Sequence, residues 1–326
     1  MRFFFLKRIR YTNPRMTELE RTALTTLAYF DAFDRPLTKE ELYRWLWKGD
    51  EVMSFSSFVD QMGTMSLPTT AGYHHLPGRE DIVQTHQARV WLTEQKYRVA
   101  KRAARKMRYL PFVRAVFVCN TVAMGCPKEE SDIDVFIVVK EGRLWVTRLL
   151  VTIWLSLWRL RRSKRHIADR VCLSFYHTDK TVDLSSIQLF PDDIYLIYWI
   201  DQLLPLYDPD HLAKQVREEN SWIRQWIPLS QTSPGVTSRW SIQDTGLSRT
   251  LRSVGTFFLS GPVGMFCEQV SKQAQQWKMR RNTKSIQSEP DTRVIINDTM
   301  LKFHENDRRT LYRDAWLKRL RDLHLV

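Results

Sequence analysis

Two aspartates separated by one residue stand at the start of an apolar stretch in the middle of the chain. Asp132 and Asp134 lead into the largely β-branched run 135–139, which is typical of a buried strand. Because side chains alternate along a strand, both carboxylates point to the same side. Two close carboxylates repel each other unless a cation lies between them. Their hard oxygen atoms are ligands that suit Mg²⁺ or Mn²⁺, so the pattern predicts a metal site.

A short polar turn precedes the aspartates and follows another predicted strand, Ala115–Cys119. The turn contains Asn120, Thr121 and Gly125, and a loop through Ser131 connects it to the aspartates. Backbone N–H groups at such a turn, together with the Thr121 hydroxyl, can bind a phosphate group. Gly125 permits the sharp change of chain direction. We therefore expect the segment from Asn120 to Ser131 to bind a nucleotide.

These two features together resemble the nucleotidyltransferase superfamily related to DNA polymerase beta. In that superfamily a Gly-Ser pair is followed, after a short loop, by Asp-x-Asp. Here Asn120-Thr121 and Ser131-Asp132-Ile133-Asp134 stand at matching spacing. Asn replaces the Gly but tolerates left-handed backbone geometry, and Thr keeps the hydroxyl. The resemblance is closest to bacterial nucleotidyltransferase-domain proteins with an N-terminal winged-helix-like region.

The resemblance implies a reaction and a set of roles. A nucleoside monophosphate would pass from a nucleoside triphosphate to an acceptor, with Mg²⁺ or Mn²⁺ held by Asp132 and Asp134. The superfamily also takes a third carboxylate from a neighbouring strand. The predicted strand Val171–Tyr176 contains no acidic residue, and Ser174 stands at its centre. Asp183 is then the candidate for the third catalytic carboxylate.

Two other functions stay open at this point. Without a third carboxylate, the chain would be a catalytically degenerate protein on the same fold that binds nucleotide or RNA, or regulates a partner. A winged-helix regulator that binds DNA is the other alternative. The predicted third helix, from Ser54 to Met65, contains no Lys or Arg, and phosphate contacts normally need cations. The N-terminal region is therefore expected to contact other proteins or to pack within the fold, more than to bind DNA.

The charge of the chain favours anionic partners. Its 326 residues carry a formal net charge of +14, which suits a triphosphate, a nucleic acid or an acidic surface. The acceptor could be RNA, a small molecule or a protein. The four cysteines form no C-x-x-C pair, so zinc is not expected and a reducing cytoplasm fits. No apolar run is long enough to cross a bilayer, and no membrane partner is expected.

The pattern of helices, strands and turns predicts an α/β (α+β) chain in four segments. They are a basic tail (1–16), a winged-helix-like domain (17–86), a nucleotidyltransferase domain with a small mixed sheet and flanking helices (87–208), and a basic, mainly helical C-terminal region (209–326). The predicted hairpin of the second segment turns at Pro77-Gly78. Residues 190–207 are expected to form one helix, and residues 257–279 are expected to contain a helix that starts at Gly261-Pro262. Asn306 or Asp307 is expected to cap the last helix.

Overall fold

The computed structural model describes residues 16–190, 192–230, 239–281, 289 and 291–326. The fold is mixed α and β, as the sequence predicts. The chain divides into two compact units. Among the described residues, the smaller unit holds those up to 86 together with 223–230 and 308–326, and the larger unit holds the rest. Except for Met16, the predicted basic tail lies outside the described residues. No described helix is both long and apolar enough to cross a bilayer.

Helices make up most of the regular structure. In chain order they are α1 (Glu18–Asp31), α2 (Lys39–Arg44), α3 (Phe55–Met62), α4 (Asp81–Met107), α5 (Asn120–Ala123), α6 (Leu144–Leu157), α7 (Ile194–Asp201), α8 (Leu212–Glu219), α9 (Gly246–Phe258), α10 (Gly261–Arg280) and α11 (Arg309–Asp322). The strands are β1 (Thr69–Thr70), β2 (Tyr73–His74), β3 (Val113–Val118), β4 (Ile133–Val139), β5 (Val171–Thr178), β6 (Leu204–Tyr207), β7 (Val294–Ile296) and β8 (Met300–Phe303).

The N-terminal part of the smaller unit contains three helices and a two-stranded hairpin, in the order that the sequence predicts. The predicted position of the hairpin is wrong. β1 and β2 are joined at Ala71-Gly72, where both residues have positive φ, the geometry that suits a two-residue hairpin. Residues 81–84, expected to form the second strand, instead begin α4.

A six-stranded sheet organises the larger unit, with the strand order β6-β3-β4-β5-β8-β7. Only β4 and β5 run parallel, and every other neighbouring pair is antiparallel. The parallel pair is joined through α6, because parallel neighbours need a crossover connection. The register sets Asp134 of β4 beside Cys172 of β5. The start of β4 therefore lies beside the start of β5.

The two faces of the sheet have different neighbours. Every second residue of β4, from Ile133 to Val139, belongs to the core formed with α4 and α6. Phe136 alternates with them and packs against aromatic rings on the other face, including Phe175 and Trp199 of α7. Asp134 and Phe136 are two positions apart on β4, so they share this second face. The aspartates thus lie on the side of the sheet that α7 covers.

Several short elements differ from the sequence-based expectations. The helix predicted over 190–207 ends at Asp201, and Leu204–Tyr207 forms β6 beside β3. The hairpin of β7 and β8 lies in a region expected to be helical. The helix expected to start at Gly261-Pro262 is confirmed as α10, and residues 257 and 258 before it end a separate helix, α9. Strands β6, β7 and β8 span three or four residues each. Their pairing partners therefore stabilise them more than their own sequence does.

Candidate active site

The structure brings Asp132, Asp134 and Cys172 together at the start of β4 and β5. One carboxylate oxygen from each aspartate and the Cys172 Sγ atom lie within 4.8 Å of one another. All three residues are half-buried. The alternation of side chains along β4 places the two carboxylates on one side, as the sequence predicts. The parallel register then adds Cys172 from the neighbouring strand.

The two carboxylates disfavour each other's charge. Burial, followed by the negative charge of Asp132, raises the pKa of Asp134 to about 6. Within the protein, a hydrogen bond from the Asn120 side chain offsets part of this effect, with Nδ2 donating to Asp134 Oδ2 at 2.7 Å. A cation between the carboxylates would offset more, because opposite charge favours the ionised form. The site is therefore short of positive charge.

Two donors of α7 fix the orientation of Asn120. The Trp199 Nε1–H and the Tyr195 hydroxyl donate to Asn120 Oδ1, at 2.8 and 3.1 Å. Since an indole N–H can only donate, the carboxamide must turn its oxygen to α7 and its NH₂ group to Asp134. Asn120 has a φ of +55°, a left-handed geometry that Asn tolerates. The sequence predicted aromatic core residues here, and their role in orienting Asn120 was missed.

Arg162 neutralises the other carboxylate. It follows α6, and its NH1 atom donates to Asp132 Oδ2 at 2.7 Å and lies 3.7 Å from Cys172 Sγ. The side chain of Arg162 is 43 % exposed, so it can exchange this contact for another. Arg162 belongs to the basic run 159–165 that follows α6, where cations also complement the helix dipole. The structure shows that one member of the run reaches the aspartates.

The cluster offers two carboxylates and one thiol as donors. Burial, together with the charges of Asp134 and Asp132, raises the pKa of the Cys172 thiol to about 12 when no metal is bound. The thiol then hydrogen-bonds to Asp134, and it would have to lose its proton to bind a metal. The two carboxylates are therefore the donors that a cation meets most readily. Mg²⁺ is commonly bound by one or two carboxylates together with substrate phosphates, so the residues present fit Mg²⁺ or Mn²⁺.

The remaining residues near β5 supply no third carboxylate. Ser174 is buried, and its Oγ lies 3.1 Å from His304 Nε2 of the segment after β8. Asp183 lies beyond β5, where its two oxygens accept hydrogen bonds from the Ser185 N–H and hydroxyl, both at 2.8 Å. Among the described residues, the metal-ligand cluster includes Cys172 and does not include Asp183.

Of the residues expected to bind phosphate, Thr121 and Gly125 lie in the turn at α5, and Ser131 lies in the loop before β4. Thr121 lies in the first turn of α5, and its hydroxyl has no hydrogen-bond partner among the residues that the structure describes. Gly125 ends the turn with a φ of +75°, and a side chain there would meet only open space. Its backbone angle is thus the reason for glycine. Ser131 instead closes the next turn, accepting a hydrogen bond from the Lys128 N–H at 3.0 Å.

A buried lysine holds the loop before β4, and sequence reasoning missed it. The Lys96 ammonium group of α4 is fully buried. It donates to the backbone carbonyls of Glu129 and Ser131, at 3.2 and 2.7 Å, and to Asp169 Oδ1 at 3.0 Å. Its three bonds tie the segments that lead into β4 and β5, and so position Asp132 and Cys172.

Comparisons with protein-family models, with curated proteins and with solved structures found no match. Membership of the nucleotidyltransferase superfamily therefore stays a prediction that rests on the residues between Asn120 and Asp134.

Proposed function

We propose that this protein is a nucleotidyltransferase that depends on Mg²⁺ or Mn²⁺. The observation that supports the proposal most is the pair of half-buried carboxylates, Asp132 and Asp134, because burial and the charge of Asp132 raise the pKa of Asp134. Buried like charges destabilise a fold, and such groups are found most often where a ligand or a reaction needs them. A divalent cation together with a triphosphate is a ligand that suits two carboxylates.

Each residue of the site has a part in this proposal. Asp132 and Asp134 hold the ion, which when bound neutralises charge on the triphosphate. Asn120 orients Asp134, and the Thr121 hydroxyl donates to a phosphate oxygen. Arg162 would pair with a phosphate oxygen, because a guanidinium group binds phosphate as well as carboxylate. The acceptor hydroxyl would lose its proton to solvent and its oxygen would bond to the α-phosphorus. The bond from that phosphorus to the bridging oxygen would break, and pyrophosphate would leave.

A second candidate function is binding without turnover. Cys172 and Ser174 of β5 supply a thiol and a hydroxyl where the resemblance implies a third carboxylate. A protein of this kind would bind a nucleotide or RNA, or regulate a partner, through the same two aspartates. The DNA-binding alternative has less support, because α3 (Phe55–Met62) carries no Lys or Arg. The acceptor in the first proposal is RNA, a small molecule or a protein.

The test is pyrophosphate release from each of the four nucleoside triphosphates, with Mg²⁺ or Mn²⁺ and a panel of acceptors. Asp134→Asn keeps the size of the side chain and removes its charge, so release should fall by at least about a hundredfold. Asp183→Asn is the matched control, because the Asp183 carboxylate accepts its hydrogen bonds from Ser185, outside the carboxylate cluster. Its release should stay close to that of the unaltered protein.

The outcomes separate the two candidates. Release that disappears in Asp134→Asn and persists in Asp183→Asn would support the transferase. Metal-dependent nucleotide binding without release would support the second candidate. If neither binding nor release depended on Asp134, both proposals for this site would be overturned.

A further inference from the structure

Helix α9 packs against the larger unit with its polar side. Ser248 is fully buried, and the Arg252 guanidinium pairs with Asp244 at 2.7 Å. Gly255 lies against Pro111, so closely that an added Cβ atom would be 3.3 Å from the proline ring. These residues recur at the spacing of one helix face. A helix of a water-soluble protein normally buries an apolar stripe instead.

The side of α9 next to this face, about 100° round the helix, is apolar and largely exposed. Phe257 and Phe258 are 78 % and 67 % exposed, and Leu247, Leu251 and Val254 are also exposed. Leu251 and Val254 are partly covered, whereas the two phenylalanine rings are mostly open to solvent. The helix is therefore inverted, with polar and small residues inside and large apolar residues outside.

Helix α10 has the same inverted arrangement. Its buried residues are Gly264, Glu268, Ser271 and Gln275. Glu268 accepts hydrogen bonds from the backbone N–H groups of residues 145 and 146 at the start of α6, at 2.8 and 2.9 Å. This contact anchors α10 to the unit through a carboxylate. Its exposed apolar residues are Val263, Met265, Phe266, Val270 and Trp277.

Large exposed apolar side chains stand on both sides of the junction between the two helices. Phe257 and Phe258 end α9, Phe266 lies in the second turn of α10, and only Leu259 and Ser260 separate the helices. The surface continues to α6 through an open cavity of about 350 Å³ lined by Trp154, Trp158 and Leu251 among others. Single exposed apolar residues need no explanation, but a contiguous surface of this kind marks an interaction site.

The charges beside this surface identify the partner. Between residues 245 and 281 the only acidic residue is Glu268, which is buried. The cations Arg249, Lys278, Arg280 and Arg281 are exposed. The Arg281 guanidinium lies 3.6 Å from the centre of the Trp277 ring. A second copy of the chain would bring these like charges together, which disfavours a symmetric dimer.

We propose that α9 and α10 bind the surface of an anionic lipid bilayer. Amphipathic helices of this kind lie in the interfacial plane, with Phe and Trp among the acyl chains and Lys or Arg at the headgroups. Neither helix crosses the bilayer, in agreement with the absence of a spanning helix among those described. The proposal contradicts the expectation of no membrane partner. It does not depend on the proposed nucleotidyltransferase function, because no residue of the carboxylate site belongs to α9 or α10.

The test is flotation of the 326-residue chain with vesicles of phosphatidylcholine, with or without added phosphatidylglycerol. We expect about tenfold more protein to float with the anionic vesicles. The triple variant Phe257→Ser, Phe258→Ser, Phe266→Ser should lose most of this binding. Its matched control is Val90→Ser, Trp91→Ser, which removes two exposed apolar residues of α4 and should float like the unaltered protein.

A second pair of variants separates the local cations from the net charge of the chain. Lys278→Gln, Arg280→Gln, Arg281→Gln should reduce flotation severalfold. Its control removes the same number of exposed cations elsewhere, through Lys39→Gln, Arg217→Gln, Arg321→Gln. Circular dichroism and the melting temperature confirm that each variant folds.

Three results would overturn the proposal. The first is the absence of flotation with either kind of vesicle. The second is an equal loss of flotation in the variants and their controls, which would show that net charge alone acts. The third is a dimer, detected by light scattering without vesicles, that the phenylalanine variant dissociates. In that case the surface would bind a second copy of the chain.

Discussion

The start of β4 and β5 and the pair α9 and α10 belong to the same compact unit, yet they distribute polar and apolar groups in opposite ways. The first buries two like charges, Asp132 and Asp134, and the second exposes a row of large apolar side chains. Elsewhere in the unit, Phe136 packs among other aromatic rings. Sequences that fold well usually break such rules only where function requires it. In the two proposals each exception serves a ligand, and the two ligands differ: a cation for the carboxylates and an anionic lipid surface for the helices.

The largest expected change in the free energy of unfolding comes from truncating a buried phenylalanine, and an exposed phenylalanine provides the comparison. Phe136→Ala should lower the free energy of unfolding by about 3 to 5 kcal/mol, because it leaves a cavity among aromatic rings. Phe257→Ala should change it by no more than about 0.5 kcal/mol, since its ring already faces outward. Urea denaturation measures both. A large loss in Phe257→Ala would mean that its ring is buried in the folded protein, which would contradict the description of α9 as inverted.

The next effect concerns stability at the carboxylate site. Without divalent ions, Asp134→Asn should raise the free energy of unfolding at pH 7 by about 1 to 3 kcal/mol, because it removes one of two repelling charges. The folded state raises the pKa of Asp134 from 3.8 to about 6, so the fold loses stability as the pH rises through this window. The gain from Asp134→Asn should therefore shrink towards zero near about pH 4. A loss of stability at pH 7 would contradict this electrostatic interpretation.

The affinity for a divalent ion should rise with pH, whereas the stability of the metal-free protein falls. A proton and a divalent ion compete for Asp134, whose pKa without metal is about 6. The affinity for Mn²⁺ should thus rise with pH up to about 6, by as much as tenfold for each pH unit, and then level off. Titrations at several pH values measure this dependence. A Kd for Mn²⁺ that did not change between about pH 5 and pH 7 would exclude Asp134 as a ligand.

The smallest effect tests the thiol. Cys172→Ser replaces a neutral thiol by a hydroxyl of similar shape and keeps a hydrogen-bond donor for Asp134. Because burial and nearby charges raise the pKa of Cys172 to about 12, we expect Mn²⁺ affinity to change by less than about threefold. Isothermal titration measures this change. A loss of affinity well beyond that range would show that the thiolate is a metal ligand, and Zn²⁺ would then be the better candidate.

The sequence predicted the parts of the site that depend on local pattern. The apolar run after Asp134 predicted the strand. Because Asp132 and Asp134 are two residues apart, their carboxylates were predicted to lie on one face. Cys172, Arg162 and Lys96 were missed because their roles arise from strand register and from contacts between distant segments. Helical periodicity indicates an apolar side of a helix, but whether that side faces the core depends on the rest of the fold. The inverted orientation of α9 therefore became visible only in the structure.

The short strands were missed for a related reason. β6, β7 and β8 contain three or four residues each, too few to show a clear alternation. β6 exists because it pairs with β3, and the hairpin of β7 and β8 extends the sheet at β5. Their stability comes from partners that are distant in sequence.

Binding of Mn²⁺ to the purified chain tests the central claim most directly, with free Mn²⁺ followed by electron paramagnetic resonance. The protein and a nucleoside triphosphate together should bind Mn²⁺ more tightly than the nucleotide does without the protein. This gain should disappear in Asp132→Asn and in Asp134→Asn and persist in Asp183→Asn. If the unaltered protein and the two site variants removed the same amount of free Mn²⁺, the carboxylate pair would not be a divalent cation site.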